Sequence, residues 1–204
     1  MEKINRPNRR SIRLKKYDYS QPGEYFLTIC TNNHECTFGN IIHEEMKLSI
    51  EGSIAQRCWE EIPKHFSNVQ LDEYIIMPNH IHGIIILTES TVGTRHAVSL
   101  LEQFSKPVIG SVPTIVRSFK SATTKCIHEI SKTPSLPIWQ GRFFDRIIRS
   151  DKELNNIRDY IYPVRMIHSI VSNLQLFNRI SHGVNNNVLQ WVIKSDDPDN
   201  IPLW

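Results

Sequence analysis

Tyr74-Ile75-Ile76-Met77-Pro78-Asn79-His80-Ile81-His82-Gly83-Ile84-Ile85-Ile86 is the stretch on which the reading of this 204-residue chain turns. It is apolar and rich in β-branched residues, which predicts a strand, and we place that strand at residues 71–87. Side chains alternate along a strand, so His80 and His82 share one face while Ile81 turns the other way into a core. Two neutral imidazoles side by side on a rigid strand offer two nitrogen lone pairs, which is half of a metal site. A bare His-x-His pattern also fits two polar residues at a strand end, so the motif alone leaves both readings open.

Working outward, the chain gives an α+β pattern. Toward the N-terminus we expect a strand at 24–31, a turn at Asn32-Asn33, an extended piece at 36–42 and a short strand opening at Leu48. A helix at 53–66 follows from Ile54, Ala55, Cys58, Trp59 and Ile62 at helical spacing, bent or ended by Pro63. Toward the C-terminus, 88–110 reads as a surface loop. Residues 113–131 form the strongest helix, with Ile115, Val116, Phe119, Ala122, Cys126, Ile127 and Ile130 toward the sheet and Arg117, Lys120 and Lys125 elsewhere on the wheel. A strand at 138–149 carries Phe143 and Phe144, either as core or as base-stacking rings. Ser150-Asp151-Lys152-Glu153 is a capping-box pattern that opens a last helix, on which Leu154, Ile157 and Ile161 make one stripe. Tyr160 falls at the border of that stripe, where a phenol rests against protein yet presents its oxygen outward.

Composition describes an ordinary globular protein, 40% hydrophobic and 22% charged. We expect one domain at 17–204, preceded by a basic arm at 1–16. In that arm Lys3, Arg6, Arg9, Arg10, Arg13, Lys15 and Lys16 face a single acid, Glu2. Arg9, Arg10, Arg13, Lys15 and Lys16 are candidate phosphate contacts, and the alternative is a solvated tail with incidental charge. Cys30, Cys36, Cys58 and Cys126 show no Cys-x-x-Cys pair, which predicts buried, reduced thiols and a reducing compartment. No stretch approaches the roughly 18 apolar residues of a membrane span, and no signal-peptide core follows the basic start, so the expected location is cytoplasmic, with no membrane partner.

Several blocks in one order resemble a known family. They are the run from Leu71 to Ile86, and Tyr17-Asp18-Tyr19-Ser20-Gln21-Pro22-Gly23 followed by Tyr25-Phe26-Leu27-Thr28-Ile29-Cys30-Thr31. Further along come Ser118-Phe119-Lys120-Ser121-Ala122, Trp139-Gln140, Ile147-Ile148-Arg149 and Asp159-Tyr160-Ile161. Together they resemble the single-tyrosine HUH transposases of the IS200-like kind, and among these the REP-associated tyrosine transposases. The likeness covers about residues 10 to 162 and resumes near Asn185 to Leu203.

The resemblance implies a single antiparallel β-sheet with flanking helices, the ferredoxin-like HUH nuclease core. It implies that His80 and His82 hold Mg2+ or Mn2+. Tyr160, with Tyr162 in reserve, would attack single-stranded DNA to form a 5′-phosphotyrosine link, which another 3′-hydroxyl can reverse. It points to hairpin-forming, REP-like DNA as the partner, to Arg117 and Lys120 as backbone contacts, and to a monomer or a homodimer.

One departure stands out. The family places an Asn or Gln one turn after the tyrosine as a third metal ligand, and position 164 here is Val. Pro163 precedes it, and the sequence from Tyr162 to Val184 reads as an insertion before the familiar Asn185-Asn186-Asn187-Val188-Leu189-Gln190-Trp191. Asn185, Asn186 or His182 are candidate substitute ligands. Two other functions stay open at this point: a catalytically impaired, domesticated DNA-binding protein or regulator of the same fold, and an unrelated metal-dependent hydrolase pairing the histidines with Asp72 or Glu73.

Overall fold

A computed structural model describes residues 14, 17–43, 45–89, 108–132 and 136–161. The arm residues Arg9, Arg10, Arg13, Lys15 and Lys16 lie outside the described residues, as do 90–107 and everything from Tyr162 on, including Pro163, Val164, His182, Asn185 and Asn186.

Four strands build the main sheet: β1 (Gly23–Cys30), β4 (Val69–Ile76), β5 (His80–Leu87) and β6 (Phe144–Ile148). A small separate hairpin pairs β2 (Gly39–Ile42) with β3 (Glu45–Leu48). The helices are α1 (Ile50–Glu60), the single turn α2 (Ile62–His65), α3 (Val112–Ser131) and α4 at 151–161. The main sheet runs in the order β4-β5-β1-β6 and every neighbouring pair is antiparallel. This is the expected α+β architecture of an antiparallel sheet with flanking helices. Among the described residues, no helix is long and apolar enough to cross a membrane.

The expected strand at 71–87 is instead a hairpin. Pro78 and Asn79 turn the chain between β4 and β5, and the Met77 N–H donates to the His80 carbonyl at 2.8 Å across the turn. Both arms are apolar because both are buried strands, so the hydrophobic run carries no sign of the reversal beyond Pro-Asn itself. The turn's own carbonyls are satisfied from the segment between β1 and β2: Thr31 N–H donates to Asn79 at 2.8 Å and Phe38 N–H to Pro78 at 2.9 Å.

Alternation divides the sheet into two unlike faces. On one, Tyr25, Leu27, Ile29, Ile81, Ile85 and Leu87 meet α1 and α3 in the larger core, around the almost fully buried Trp59 and Phe119. Gly83 belongs to this face, and a Cβ there would overlap the Trp59 ring, so the missing side chain is what lets the indole seat on the strand. On the other face, Phe26, Ile75, Met77, Ile84 and Ile148 pack against Leu154, Ile157 and Ile161 of α4.

Several local expectations shift. Helix α1 begins at Ile50, not 53: Ser49 Oγ accepts from the Gly52 N–H at 2.9 Å, and Gly52 sits inside the first turn because its missing Cβ leaves room for the Phe38 carbonyl. Leu48 closes a strand instead of opening one, and the helix breaks at Glu61, with Pro63 in the first turn of α2. In α3, Ala122 and Ile130 are exposed and Thr123 is buried in their stead. Ala122 lies at the border of the apolar stripe and Ile130 in the last turn, while Thr123 satisfies its hydroxyl by donating to the Phe119 carbonyl at 2.9 Å. The strand expected at 138–149 contracts to β6, since Lys120 Nζ binds the Gln140 and Arg142 carbonyls at 2.7 and 3.0 Å and holds that segment out of the ladder. The four cysteines are free thiols; Cys30 and Cys58 are buried, whereas Cys36 is exposed.

Candidate active site

Strand register creates the site. On the α4 face, His80 lies opposite Cys30 and His82 opposite Thr28, so both histidines stand where the two central strands β5 and β1 pair. They are 1% and 3% exposed, and their Nε2 atoms lie 3.1 Å apart. Burial pushes the His80 pKa down to about 4, helped by the nearby His34, and burial with the His80 neighbour holds His82 well below the ordinary histidine value. Both rings are therefore neutral at neutral pH, the form that ligates a cation.

The helix delivers the third group. Ser150 caps α4 by accepting from the Glu153 N–H at 3.2 Å. Glu153 reaches back one residue further than the capping box requires, to the Arg149 N–H at 3.0 Å, and takes the Arg146 guanidinium of β6 at 2.6 Å. Burial alone would raise the Glu153 pKa, but the Arg149 N–H and the Arg146 guanidinium outweigh it and hold the carboxyl below its usual range. Near the other end of α4, Arg158 Nε donates to Asp72 of β4 at 2.9 Å. Asp72 reaches it from a β-bulge: Leu71 pairs with Ile85 and Tyr74 with Gly83, leaving one extra residue between. Helix α4 is thus tied to both edge strands of the sheet, and its apolar stripe fills the space between.

That placement sets Tyr160 Oη 3.2 Å from His82 Nε2, with the ring edge-on to His82 at 5.4 Å between centroids. Phe26 stacks beneath His82 at 5.3 Å and meets Tyr160 edge-on at 6.4 Å, fixing both rings from below. The three residues expected to do chemistry, His80, His82 and Tyr160, converge on one point from a strand and a helix far apart in sequence. Arg117 and Lys120 do not join them. Both lie on α3, on the opposite side of the sheet; Arg117 is exposed, and Lys120 is engaged with the 140–142 carbonyls.

The donor set suits a divalent cation. Octahedral ligation at about 2.1 Å places neighbouring donors about 3.0 Å apart, close to the separation of the two Nε2 atoms. Each ring's Nδ1 has a partner of its own: Asn79 Oδ1 at 2.6 Å for His80, and Thr28 Oγ1 at 3.0 Å for His82. Among the described residues no cluster of three or more His, Cys, Asp or Glu side chains is poised around an ion, and Asp72, considered as a hydrolase carboxylate, is committed to Arg158. Thr28, Asn79 and Arg158 were not visible as site residues in the sequence, and Asp72 was a candidate there only as a hydrolase carboxylate, not as the partner of Arg158. Only register, meaning Thr28 opposite His82, could have singled out the first.

Comparison with known proteins places the chain among its relatives. No family model matches it. An uncharacterized Haemophilus influenzae protein is 41% identical over 157 residues, covering 76% of this chain and 86% of that one. A second protein of that organism, provisionally named a REP-associated tyrosine transposase, is 27% identical over 179 residues, covering 87% of this chain and 82% of its own length. Among solved structures, a REP-associated tyrosine transposase bound to a REP hairpin aligns with a TM-score of 0.49 at 19% identity, over 78% of this chain and 74% of that one. A protein of Deinococcus radiodurans provisionally assigned as a transposase aligns with a TM-score of 0.42 at 15% identity, over 74% and 98%. Over most of its length the chain is therefore similar in sequence to a protein provisionally named a REP-associated tyrosine transposase.

Proposed function

We propose that the protein is a metal-dependent, single-tyrosine transposase that cleaves and rejoins single-stranded DNA through a 5′-phosphotyrosine intermediate. The observation that carries this reading is the approach of the Tyr160 phenol to the His pair, 3.2 Å from His82 Nε2. His80 and His82 would hold Mg2+ or Mn2+, which as a Lewis acid polarises the scissile phosphate. Tyr160 Oη bonds to phosphorus as the bond to the 3′-oxygen breaks; the phenolic proton is given up and the departing 3′-oxygen takes one. The edge-strand ion pairs and the Phe26 ring hold the phenol in place, and in-line attack requires a fixed attacking oxygen. The phosphodiester's energy is kept in the tyrosyl link, so a second 3′-hydroxyl restores a strand by the reverse step.

Hairpin-forming, REP-like DNA is the substrate suggested by the family, with the 1–16 arm and Arg117 as candidate phosphate contacts, acting in the cytoplasm as monomer or homodimer. Asn185 or Asn186 would complete the ligand set. Val164, at the position of the usual third ligand, favours a second reading, a DNA-binding protein of the same fold without cleavage. Incubation with a hairpin-containing single strand and Mn2+, followed by a denaturing gel, separates the two. A covalent band that disappears in Tyr160→Phe supports the transposase; retarded DNA with no band supports the DNA-binding reading.

A further inference from the structure

The two histidines are held by different kinds of partner. His80 Nδ1 faces an amide oxygen, Asn79 Oδ1, which only accepts, so Nδ1 carries the proton and Nε2 presents its lone pair. His82 Nδ1 faces the Thr28 hydroxyl, which donates or accepts by rotating. At 3.1 Å the two Nε2 atoms form a hydrogen bond if one of them bears a proton; His80 does not, so that bond takes its proton from His82, with Tyr160 Oη, 3.2 Å from the same nitrogen, as a second acceptor. In that ion-free arrangement His82 is the Nε2–H tautomer and Thr28 donates to His82 Nδ1. A cation requires both Nε2 lone pairs. The His82 proton must then sit on Nδ1, with Thr28 Oγ1 turned to accept it.

We propose that Thr28 is a positioning residue that permits His82 to exchange tautomers, so that one hydroxyl stabilises both the ion-free hydrogen-bonded pair and the ligating pair. This rests on the metal-binding reading above. Its geometry is specific. Thr28 is 2% exposed, lies on the neighbouring strand directly opposite His82 in the ladder, and His82 Nδ1 is the partner of its hydroxyl. Proton balance is simple: Nε2 loses one, Nδ1 gains one, and the hydroxyl keeps its own while turning about its C–O bond. Valine has the shape of threonine but no oxygen. In Thr28→Val the ligating tautomer would leave a buried N–H without an acceptor, a costlier defect than an unused lone pair.

Nitrogen-15 NMR of histidine-labelled full-length protein reads both tautomers directly. Before any cation is added, wild type should show His80 as Nδ1–H and His82 as Nε2–H. Titration with Mg2+ should convert His82 to Nδ1–H with a shifted Nε2 resonance, Thr28→Ser should follow wild type, and Thr28→Val should need about 10-fold or more Mg2+. Equal Mg2+ affinity in folded Thr28→Val and wild type overturns the proposal, as does a His82 that is already Nδ1–H in ion-free wild type, a result that needs no variant. If ion-free wild type shows Nε2–H and no shift follows at any Mg2+ or Zn2+ concentration, the metal reading and the exchange both fall, and only the ion-free tautomer assignment stands.

Discussion

The two faces of the sheet are built to different rules. On one, α1 and α3 bury a wide apolar core around Trp59 and Phe119, with close packing as its main device. On the other, a single helix of three buried aliphatics covers the sheet, and the fine placement comes from polar ties: Arg146 to Glu153, Arg158 to Asp72, Ser150 at the cap and hydrogen bonds behind each histidine. Burial supplies free energy without direction, whereas hydrogen bonds and ion pairs supply direction with little net free energy. Stability and aim are thereby placed on opposite sides of the same four strands.

That contrast can be broken in several ways. The largest effect should come from Tyr160→Phe, which removes one oxygen from the α4 face: covalent DNA adduct should fall to background on a denaturing gel while the thermal midpoint stays within about 2 °C. His80→Ala and His82→Ala should also abolish adduct, and in addition should abolish Mn2+ binding measured calorimetrically. Wild-type and double-mutant proteins that bind Mn2+ equally would remove the His pair from the mechanism.

Substitutions on the other face should give the opposite signature. Gly83→Ala forces a methyl into the Trp59 ring and should cost about 1–3 kcal/mol in urea unfolding. Trp59→Ala should cost about 3–5 kcal/mol. Either variant showing wild-type stability would mean that Gly83 and Trp59 do not hold the packing as described.

Acid should also reach the chemical face. With the His80 pKa pulled from 6.5 to about 4, the unfolded chain binds more protons than the folded one across that interval. The stabilisation from keeping the ring neutral is full above pH 6.5 and declines as pH falls toward 4, and His82, shifted the same way, steepens the decline. Replacing both rings should flatten the stability profile over that window, and an unchanged slope would refute the burial account.

Smaller effects are expected from the polar ties. Arg158→Met leaves the mostly buried Asp72 carboxylate without its cation and should cost about 1–3 kcal/mol, yet it should lower adduct yield several-fold because Tyr160 lies two residues on. Equal declines in stability and yield would merge the two faces into one. Deleting residues 1–16 should leave folding alone and reduce the log–log salt slope of single-strand binding by about 0.7 for each phosphate that the arm neutralises; an unchanged slope makes the arm a solvated tail.

Much of this layout was legible before any coordinates. Alternation in the two central strands, the helical period of α3, the Ser150 cap and the stripe of α4 are local patterns, and each points to its element directly. His80, His82 and Tyr160 were nameable because their residue types are chemical and the surrounding blocks resemble a family. What stayed hidden depends on distant pairing. The Pro78-Asn79 reversal is masked by apolar sequence on both sides, and Asp72 meets Arg158 only because a bulge adds a residue to β4. Thr28 looks like any strand threonine until register sets it against His82. Ile130 has the right phase for burial but sits in the last turn of α3, and no periodicity reports where a neighbour ends.

Gly83 has a consequence for how this protein could drift or be redesigned. It follows His82 directly, and through its bare backbone the Trp59 indole presses on the strand from behind. The histidine's seat is thus one peptide unit away from the largest side chain of the opposite layer. If the His pair holds an ion as proposed, an exchange among the partners of that indole, Tyr74 or Phe119, would reach the ion site through the strand backbone. On that reading, laboratory evolution toward a different metal would find solutions in the hydrophobic layer, away from the proposed ion and DNA contacts.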